Sequence, residues 1–240
     1  MRGLILAAGL GSRLKHKTQD IPKAMIEVGG IPIITHQIKA LLNNNINEVG
    51  VVLGYKSKIL EKYLLEAHPD ISFEFFKNDR YSTSNSAYSF YLASKFVMNQ
   101  AYLHLNCDIL FSSDMIKKLI DSPFDNVIAA SFDQKLSDNM ELVSVASDGK
   151  ILTMNNIYFE SAVAKAFGLA KFSASSSQLI IKIIKNYLDK GDYNQNYYGI
   201  IRQAVNELDY YSVNAKGMFL SEINTLVDFD SVTKDFKNDN

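Results

Sequence analysis

The feature that most constrains this chain is an alternation. Across the first 132 residues, short apolar runs of strand length are separated by segments whose apolar residues recur at helical spacing. The runs fall at 3–7, 49–53, 71–76, 101–105 and 127–132. Between them, Ile34, Ile38, Leu41 and Leu42 share one helix face, as do Ile59, Leu60, Tyr63 and Leu64. Ser84 or Asn85 can cap a helix carrying Tyr88, Tyr91 and Leu92, and Met115, Ile116, Leu119 and Ile120 mark another. Side chains three and four apart meet on one helix face, whereas a run that is apolar throughout suits a strand buried on both sides. Strand, helix and strand repeated in this way predict an α/β fold: a Rossmann-like, mostly parallel central sheet flanked by helices.

The second half changes character. Residues 142–146 and 151–154 flank Ser147-Asp148-Gly149-Lys150, a hairpin signal, and 166–172 reads as a further strand. Leu179, Ile183 and Tyr187, with Ile180, Ile184 and Leu188, make the clearest amphipathic helix, which Gly191 can end. A helix is expected over 197–208, short strands at 210–213 and 218–220, and a closing helix over 226–236, with 237–240 frayed.

Composition excludes several classes. Hydrophobic residues are 47% and charged residues 21% of the 240, which argues for one globular domain over disorder or a fibrous repeat. Lys and Arg total 25 against 26 Asp and Glu, so no whole-surface charge draws the chain to nucleic acid or an anionic membrane. No stretch approaches the roughly 20 apolar residues that span a bilayer. The lone cysteine, Cys107, permits no intrachain disulfide and fits a reducing cytoplasm. It also excludes a multi-thiol zinc centre, and the four histidines lack paired ligand spacing.

The most informative segment is Leu6-Ala7-Ala8-Gly9-Leu10-Gly11-Ser12-Arg13-Leu14, followed by Ile21-Pro22-Lys23. A strand enters a glycine-rich turn, where bare backbone N–H groups can approach phosphate oxygens. Arg13, Lys15, Lys17 and Lys23 face one acid, Asp20, a balance that suits a polyphosphate. A dinucleotide fingerprint fails here, because Leu14 stands where a small residue is required and Gly54-Tyr55-Lys56 stands where the ribose-binding acid belongs. A P-loop fails for want of Gly-Lys-Ser/Thr. The pattern Gly-x-Gly-x-Arg-Leu followed by Pro-Lys fits a third reading, a nucleotidyltransferase loop.

On these residues the chain resembles the sugar-phosphate nucleotidylyltransferase superfamily, and within it the small branch similar to CTP:phosphocholine cytidylyltransferase. Further resemblance lies in Pro22-Lys23-Ala24-Met25, Val51-Val52-Leu53-Gly54-Tyr55, Asn78-Asp79-Arg80-Tyr81 with residues 85–92, Asn106-Cys107-Asp108 and Glu222-Ile223-Asn224-Thr225. The resemblance implies a single domain over 1–240, with a nucleotide-binding half at 1–135 and a smaller acceptor-side half at 136–240. It implies Mg²⁺-dependent transfer of CMP from CTP to a small phosphorylated alcohol, amino alcohol or amide, with release of pyrophosphate. Such a reaction serves cell-surface polysaccharide or lipid precursor synthesis in the cytoplasm.

The same resemblance assigns roles. Arg13, Lys23 and Asp108 are the expected catalytic residues. Leu6, Ala7, Ala8, Gly9, Gly11, Ser12, Gly54, Tyr55, Asn85 and Ser89 are expected around the nucleotide. Asp108 is the expected Mg²⁺ ligand, with Asn224 the second contributor and Glu222 or Asp228 as alternatives; Asn224 replaces the Asp of most relatives. Lys23 and Arg13, in a polar loop, are expected to act on the triphosphate and not on folding. For the acceptor, Lys171 is a candidate phosphate ligand or a surface lysine. Tyr158, Tyr193, Tyr197 and Tyr198 form either an aromatic wall around a cationic head group or partly buried tyrosines at a homodimer surface. Two other readings stay open: a sugar-1-phosphate nucleotidylyltransferase using UTP or dTTP, and a catalytically silent nucleotide-binding regulatory subunit. Neither nucleic acid nor membrane is expected as a partner.

Overall fold

In the computed structural model, which describes residues 1–238, the first apolar run forms β1 (Arg2–Ala7). Leu4 and Leu6 pack on one side of it, Ile5 and Ala7 on the other. Two short 3-10 segments (Ser12–Thr18 and Lys23–Met25) and a ribbon of β2 (Glu27–Val28) and β3 (Ile31–Pro32) follow. Then come α1 (Ile33–Leu42), β4 (Glu48–Leu53), α2 (Ser57–Ala67), β5 (Ser72–Lys77), α3 (Ser86–Leu92) and α4 (Ser94–Val97). Next are β6 (Tyr102–Asn106), β7 (Ile109–Phe111), α5 (Ser113–Asp121) and β8 (Val127–Ser131). The second half holds β9 (Leu142–Val145), β10 (Ile151–Asn155), β11 (Ala164–Phe172), α6 (Ala174–Leu188), α7 (Tyr197–Ala204), β12 (Tyr211–Asn214), β13 (Leu220–Glu222) and α8 (Leu226–Asn238). Of the polar end expected to fray, residues 237 and 238 instead continue α8, while Asp239 and Asn240 lie outside the described residues.

The strands β5, β4, β1 and β6 lie side by side and parallel, as the alternation predicts of the sheet. The fifth run departs from it. β8 does not join β6, because β11 from the second half lies between them, antiparallel to both. β11 also reaches β9, and its register against β8 shifts between Ala166 and Ala170. Such an irregularity bends a strand, so one long strand can serve three neighbours. β12 extends β8 in parallel, and β9 and β10 form the expected hairpin around Gly149, at φ 86°.

Two apolar clusters cover the two faces of this sheet. One gathers α3, α6 and α7, the other α1, α2 and α5. On α3 the buried residues are Ala87, Ser89 and Phe90, while Tyr88 and Tyr91 are half-buried. α7 stops at Ala204 and not at 208; the Asn206 side chain donates to Arg202 O, a local bond that competes with helix continuation. A third cluster joins Leu14, Ile26, Val28 and Ile33 to Leu110, Ile223 and Val232. Each fully buried Leu or Ile contributes about 1.5–3 kcal/mol relative to exposure, so this cluster holds the C-terminal segment firmly on the N-terminal loop.

Candidate active site

The glycine loop runs from β1 into the first 3-10 segment. Gly11 sits at φ 65°, and a Cβ there would meet Thr18 at 3.0 Å and Lys23 at 3.2 Å. Leu14 N and Thr18 Oγ1 both donate to Gly11 O, and the Leu14 side chain is wholly buried in the third cluster. The leucine that breaks the dinucleotide fingerprint therefore anchors this loop.

Three distant segments then converge. Lys23 Nζ donates to Asp108 Oδ2 at 2.6 Å and to Asn224 Oδ1 at 3.1 Å, and Arg13 donates to the same Asn224 oxygen at 2.9 Å. Asp108 is delivered by β6, and Asn224 by β13, which pairs antiparallel with β7. Ile223 N donates to Asp108 O, fixing the two segments together. The Lys23 side chain is 10% exposed and that of Asp108 16%, so the pair sits where charge attraction is less screened than at an open surface. Lys23 is accordingly not the solvated loop lysine expected from sequence; it is part of the packing. The neighbouring Cys107 is buried, and burial, then Asp108, pushes its thiol up to about 12, so it remains protonated and unreactive.

A cleft of about 410 Å³ opens beside this junction. Leu6, Ala8, Gly9, Gly11, Ser12, Arg13 and Lys23 line one side; Asn78, Asn85, Ser86 and Ser89 line the other. Asn85 also caps α3, accepting from Ser86 N, and Asn78 donates to Ser84 and Ser89. Ala7, Gly54 and Tyr55 do not line the cleft. Ala7 packs into the core on the far face of β1. A Cβ on Gly54 would fall 2.4 Å from Ala8 O, Tyr55 N donates to that oxygen, and Tyr55 OH donates to Gln19 O; these residues brace the loop from below.

The junction fits Mg²⁺. Asp108 Oδ1 is buried with no hydrogen-bond donor, and the Asn224 carboxamide and Glu222 line the same cleft. Among the described residues no group of three or more His, Cys, Asp or Glu could form a protein-only cage. One free carboxylate oxygen suits Mg²⁺, which keeps several waters and takes phosphate oxygens as ligands; Asn224 Oδ1, which accepts from Lys23 and Arg13, would join it by releasing one of them. Asp228 is not available for this role. It accepts from Asn224 N and Thr225 N while its own N–H donates to Thr225 Oγ1, closing the N-terminus of α8. Glu222 is engaged by Lys165 at 3.0 Å.

A second cleft of about 350 Å³ adjoins the first, and Arg13, Asn106, Glu222 and Asn224 line both. Its own walls include Glu141, Lys165 and Gly168. Lys165 Nζ lies 4.4 Å from the centre of the Phe167 ring. Glu141 faces Arg202 at 3.5 Å, and burial raises its carboxyl above the usual range, with Arg202 opposing.

Lys171 does not reach either cleft. It is buried, and its Nζ donates to Ile120 O and Ser122 O at the C-terminus of α5. Tyr158 is 53% exposed on a loop and lines neither cleft. Tyr197 and Tyr198 do line the second cleft but form neither an open aromatic wall nor a dimer surface. They are 1% and 5% exposed, with hydroxyls bonded to Tyr102 and to Phe167 O. Among the cleft residues that sequence reasoning missed are Lys165, Glu141 and Asn106, and Lys165 is the most legible of them. The signal was there: a lysine within an otherwise apolar strand must point at water, a partner or a ligand.

The sequence matches the MobA-like NTP transferase domain family over residues 3–162. The chain belongs to that family. The MobA-like match contains Arg13, Lys23 and Asp108, whereas Lys165 and Asn224 lie beyond it. A choline-phosphate cytidylyltransferase of Streptococcus pneumoniae is 26% identical over 250 aligned positions, covering all of both chains. A CTP:phosphoglutamine cytidylyltransferase of Campylobacter jejuni is 32% identical over 72% of this NTP transferase and 73% of its own length. Among solved structures, the CTP:phosphocholine cytidylyltransferase of S. pneumoniae superposes with a TM-score of 0.80 at 23% identity, covering 98% of each chain.

Proposed function

We propose that this NTP transferase is a cytidylyltransferase that moves CMP from CTP onto a phosphate or phosphonate oxygen of a small, nitrogen-bearing acceptor, releasing pyrophosphate. The observation that carries the reading is the junction of Lys23, Asp108, Arg13 and Asn224 at the meeting of two clefts. The acceptor oxygen forms a bond to the α-phosphorus, the bond from that phosphorus to the bridging oxygen breaks, and its electron pair leaves on pyrophosphate. Such a transfer needs positioning and charge neutralisation more than covalent help. Gly11, Ser12 and Arg13 would take the β- and γ-phosphates. Lys23 has three donors, two of them engaged, which leaves one for an α-phosphate oxygen. Asp108 and Asn224 would hold Mg²⁺, which when bound supplies neutralisation of the phosphate charge.

The second cleft suits an acceptor with two unlike ends. Arg13 and the remaining donors of Lys165 offer positive charge to a phosphate, while Glu141, whose Oε2 has no partner, offers an oxygen to a nitrogen-bearing end; Glu222 is already taken by Lys165 at 3.0 Å. The relatives that act on choline phosphate and phosphoglutamine support the same class, and their use of CTP supports the donor. The unpaired, buried Cys107 supports a cytoplasmic setting, and among the described residues no helix is long and apolar enough to cross a membrane. A uridylyltransferase of Haloferax volcanii acting on glucose-1-phosphate is 45% identical over 60 residues, which keeps a sugar 1-phosphate acceptor as the second reading.

Pyrophosphate release measured with each ribonucleotide and dTTP, against phosphocholine, phosphoethanolamine, aminoethylphosphonate, phosphorylated glutamine, polyol phosphates and hexose 1-phosphates, tests this. Turnover with CTP and a nitrogen-bearing acceptor is expected. Turnover only with UTP or dTTP and a hexose 1-phosphate would replace the reading with the second one.

A further inference from the structure

Asn106 ends β6 at the point where the two clefts meet, and its side chain is held in one orientation. Its Oδ1 lies 3.1 Å from His104 Nε2. His104 is wholly buried and stacked on the Tyr197 ring at 4.3 Å and 18°, and its Nδ1 has no partner. Burial pushes the imidazole down to about 4, so it is neutral near pH 7. A neutral imidazole carries one N–H, and an amide oxygen only accepts. The proton is therefore on Nε2 and donated to Oδ1.

That bond turns Nδ2, with its two N–H groups, away from His104 and toward β11. There the chain has Gly168, where a Cβ would stand 2.2 Å from Nδ2 and 2.4 Å from Cγ. Gly168 does not have a positive φ, so the missing side chain answers a need for space and not for backbone freedom. Gly168 lines the second cleft and not the first. Among the described residues no protein group accepts from Nδ2.

We propose that Asn106 is a catalytic residue that grips the attacking phosphate or phosphonate of the acceptor through Nδ2, with His104 as its positioning residue and Gly168 as the gap that admits it. The assignment rests on the proposed cytidylyltransferase reading of the second cleft. As the acceptor oxygen bonds to the α-phosphorus and pyrophosphate departs, Asn106 donates to a non-bridging acceptor oxygen and transfers no proton. It keeps the attacking oxygen aimed into the first cleft.

The test compares Asn106→Ala, His104→Phe, His104→Gln and Gly168→Ala in the full chain, with the most active acceptor of the panel above. Calorimetry with CTP alone and thermal melts accompany the kinetics. Asn106→Ala is expected to lower kcat/KM for the acceptor about 100-fold, the scale of removing one oriented donor, with CTP affinity unchanged. His104→Phe keeps an aromatic ring against Tyr197 but offers no donor; it should lose about 10-fold, and His104→Gln should recover most of that. The double variant His104→Phe/Asn106→Ala should be no slower than Asn106→Ala, because the two act as one unit. Gly168→Ala should copy the acceptor-specific loss by displacing the Asn106 carboxamide while His104 itself is left unaltered, and it serves if a His104 variant does not fold. Unchanged acceptor kinetics in Asn106→Ala, an equal loss of CTP binding, or losses that multiply in the double variant would overturn the assignment. An inactive wild-type chain would instead remove the cytidylyltransferase reading and, with it, this one.

Discussion

Lys23 donates to Asp108 and Asn224 at once, so its removal leaves a mostly buried carboxylate without its cation. Lys23→Ala is therefore expected to cost about 1–3 kcal/mol of stability as well as about 100-fold or more in pyrophosphate release. A denaturant titration beside the kinetics checks both, and a variant that is slow but fully stable would mean the pair adds nothing to the fold. Asp108→Asn should abolish metal-dependent turnover, since a neutral amide is a weak main ligand for a hard cation; assays over a Mg²⁺ series read this. Arg13, Lys23, Asp108 and Asn224 were legible because the motif pattern names them. Their mutual bonds were not, because contacts spanning 85 to 211 residues leave no trace in local spacing. Lys165 and Lys171 show the limit: both lie on one strand, and only the surroundings send one to a cleft and the other to a helix end.

Gly54 closes β4 beneath the phosphate loop, and the atom nearest a hypothetical Cβ is Ala8 O, a backbone oxygen that cannot swing aside. Gly54→Ala is expected to destabilise by about 1–3 kcal/mol through overpacking and to raise KM for CTP more than it lowers kcat. Kinetics at varied CTP would show an unchanged KM if the loop were independent of β4. At the other end of the sheet, Lys171 donates to the last carbonyls of α5. Lys171→Met should cost about 1 kcal/mol through the lost C-terminal bonds and leave turnover within 2-fold, as melting and rate measurements would show. Elements with strong periodicity, such as α1, α5 and α6, were readable from sequence because a single apolar stripe decides them. β7 and β13 were not read in place: each is three residues long and exists because it pairs with the other.

At the scale of the molecule, the wholly buried His104 makes stability depend on acidity. Its folded value of about 4 lies below the ordinary 6.5, so between these values the unfolded chain binds more protons. The stabilisation is complete above about pH 6.5 and is lost as pH falls toward about 4; about 2 kcal/mol should vanish between pH 7 and pH 5. His68, also lowered by burial, adds in the same direction, while Glu141, raised by burial, slopes the other way above 4.5. Denaturation of wild type and His104→Phe at both pH values isolates the histidine, and equal slopes would contradict its buried, neutral state. The parallel pairing of β5, β4, β1 and β6 was legible because repeated βαβ units build a parallel sheet, whereas their order and the insertion of β11 were not, since nothing local distinguishes a strand that crosses to a distant partner. The seating of Asn224 on Lys23 also bears on biosynthesis. Those residues are 201 positions apart, so at about 5–20 residues per second the ribosome adds Asn224 about 10–40 s after Lys23. For that interval the nascent chain carries its cationic loop without the carboxamide that completes the junction, so competence arrives late in translation.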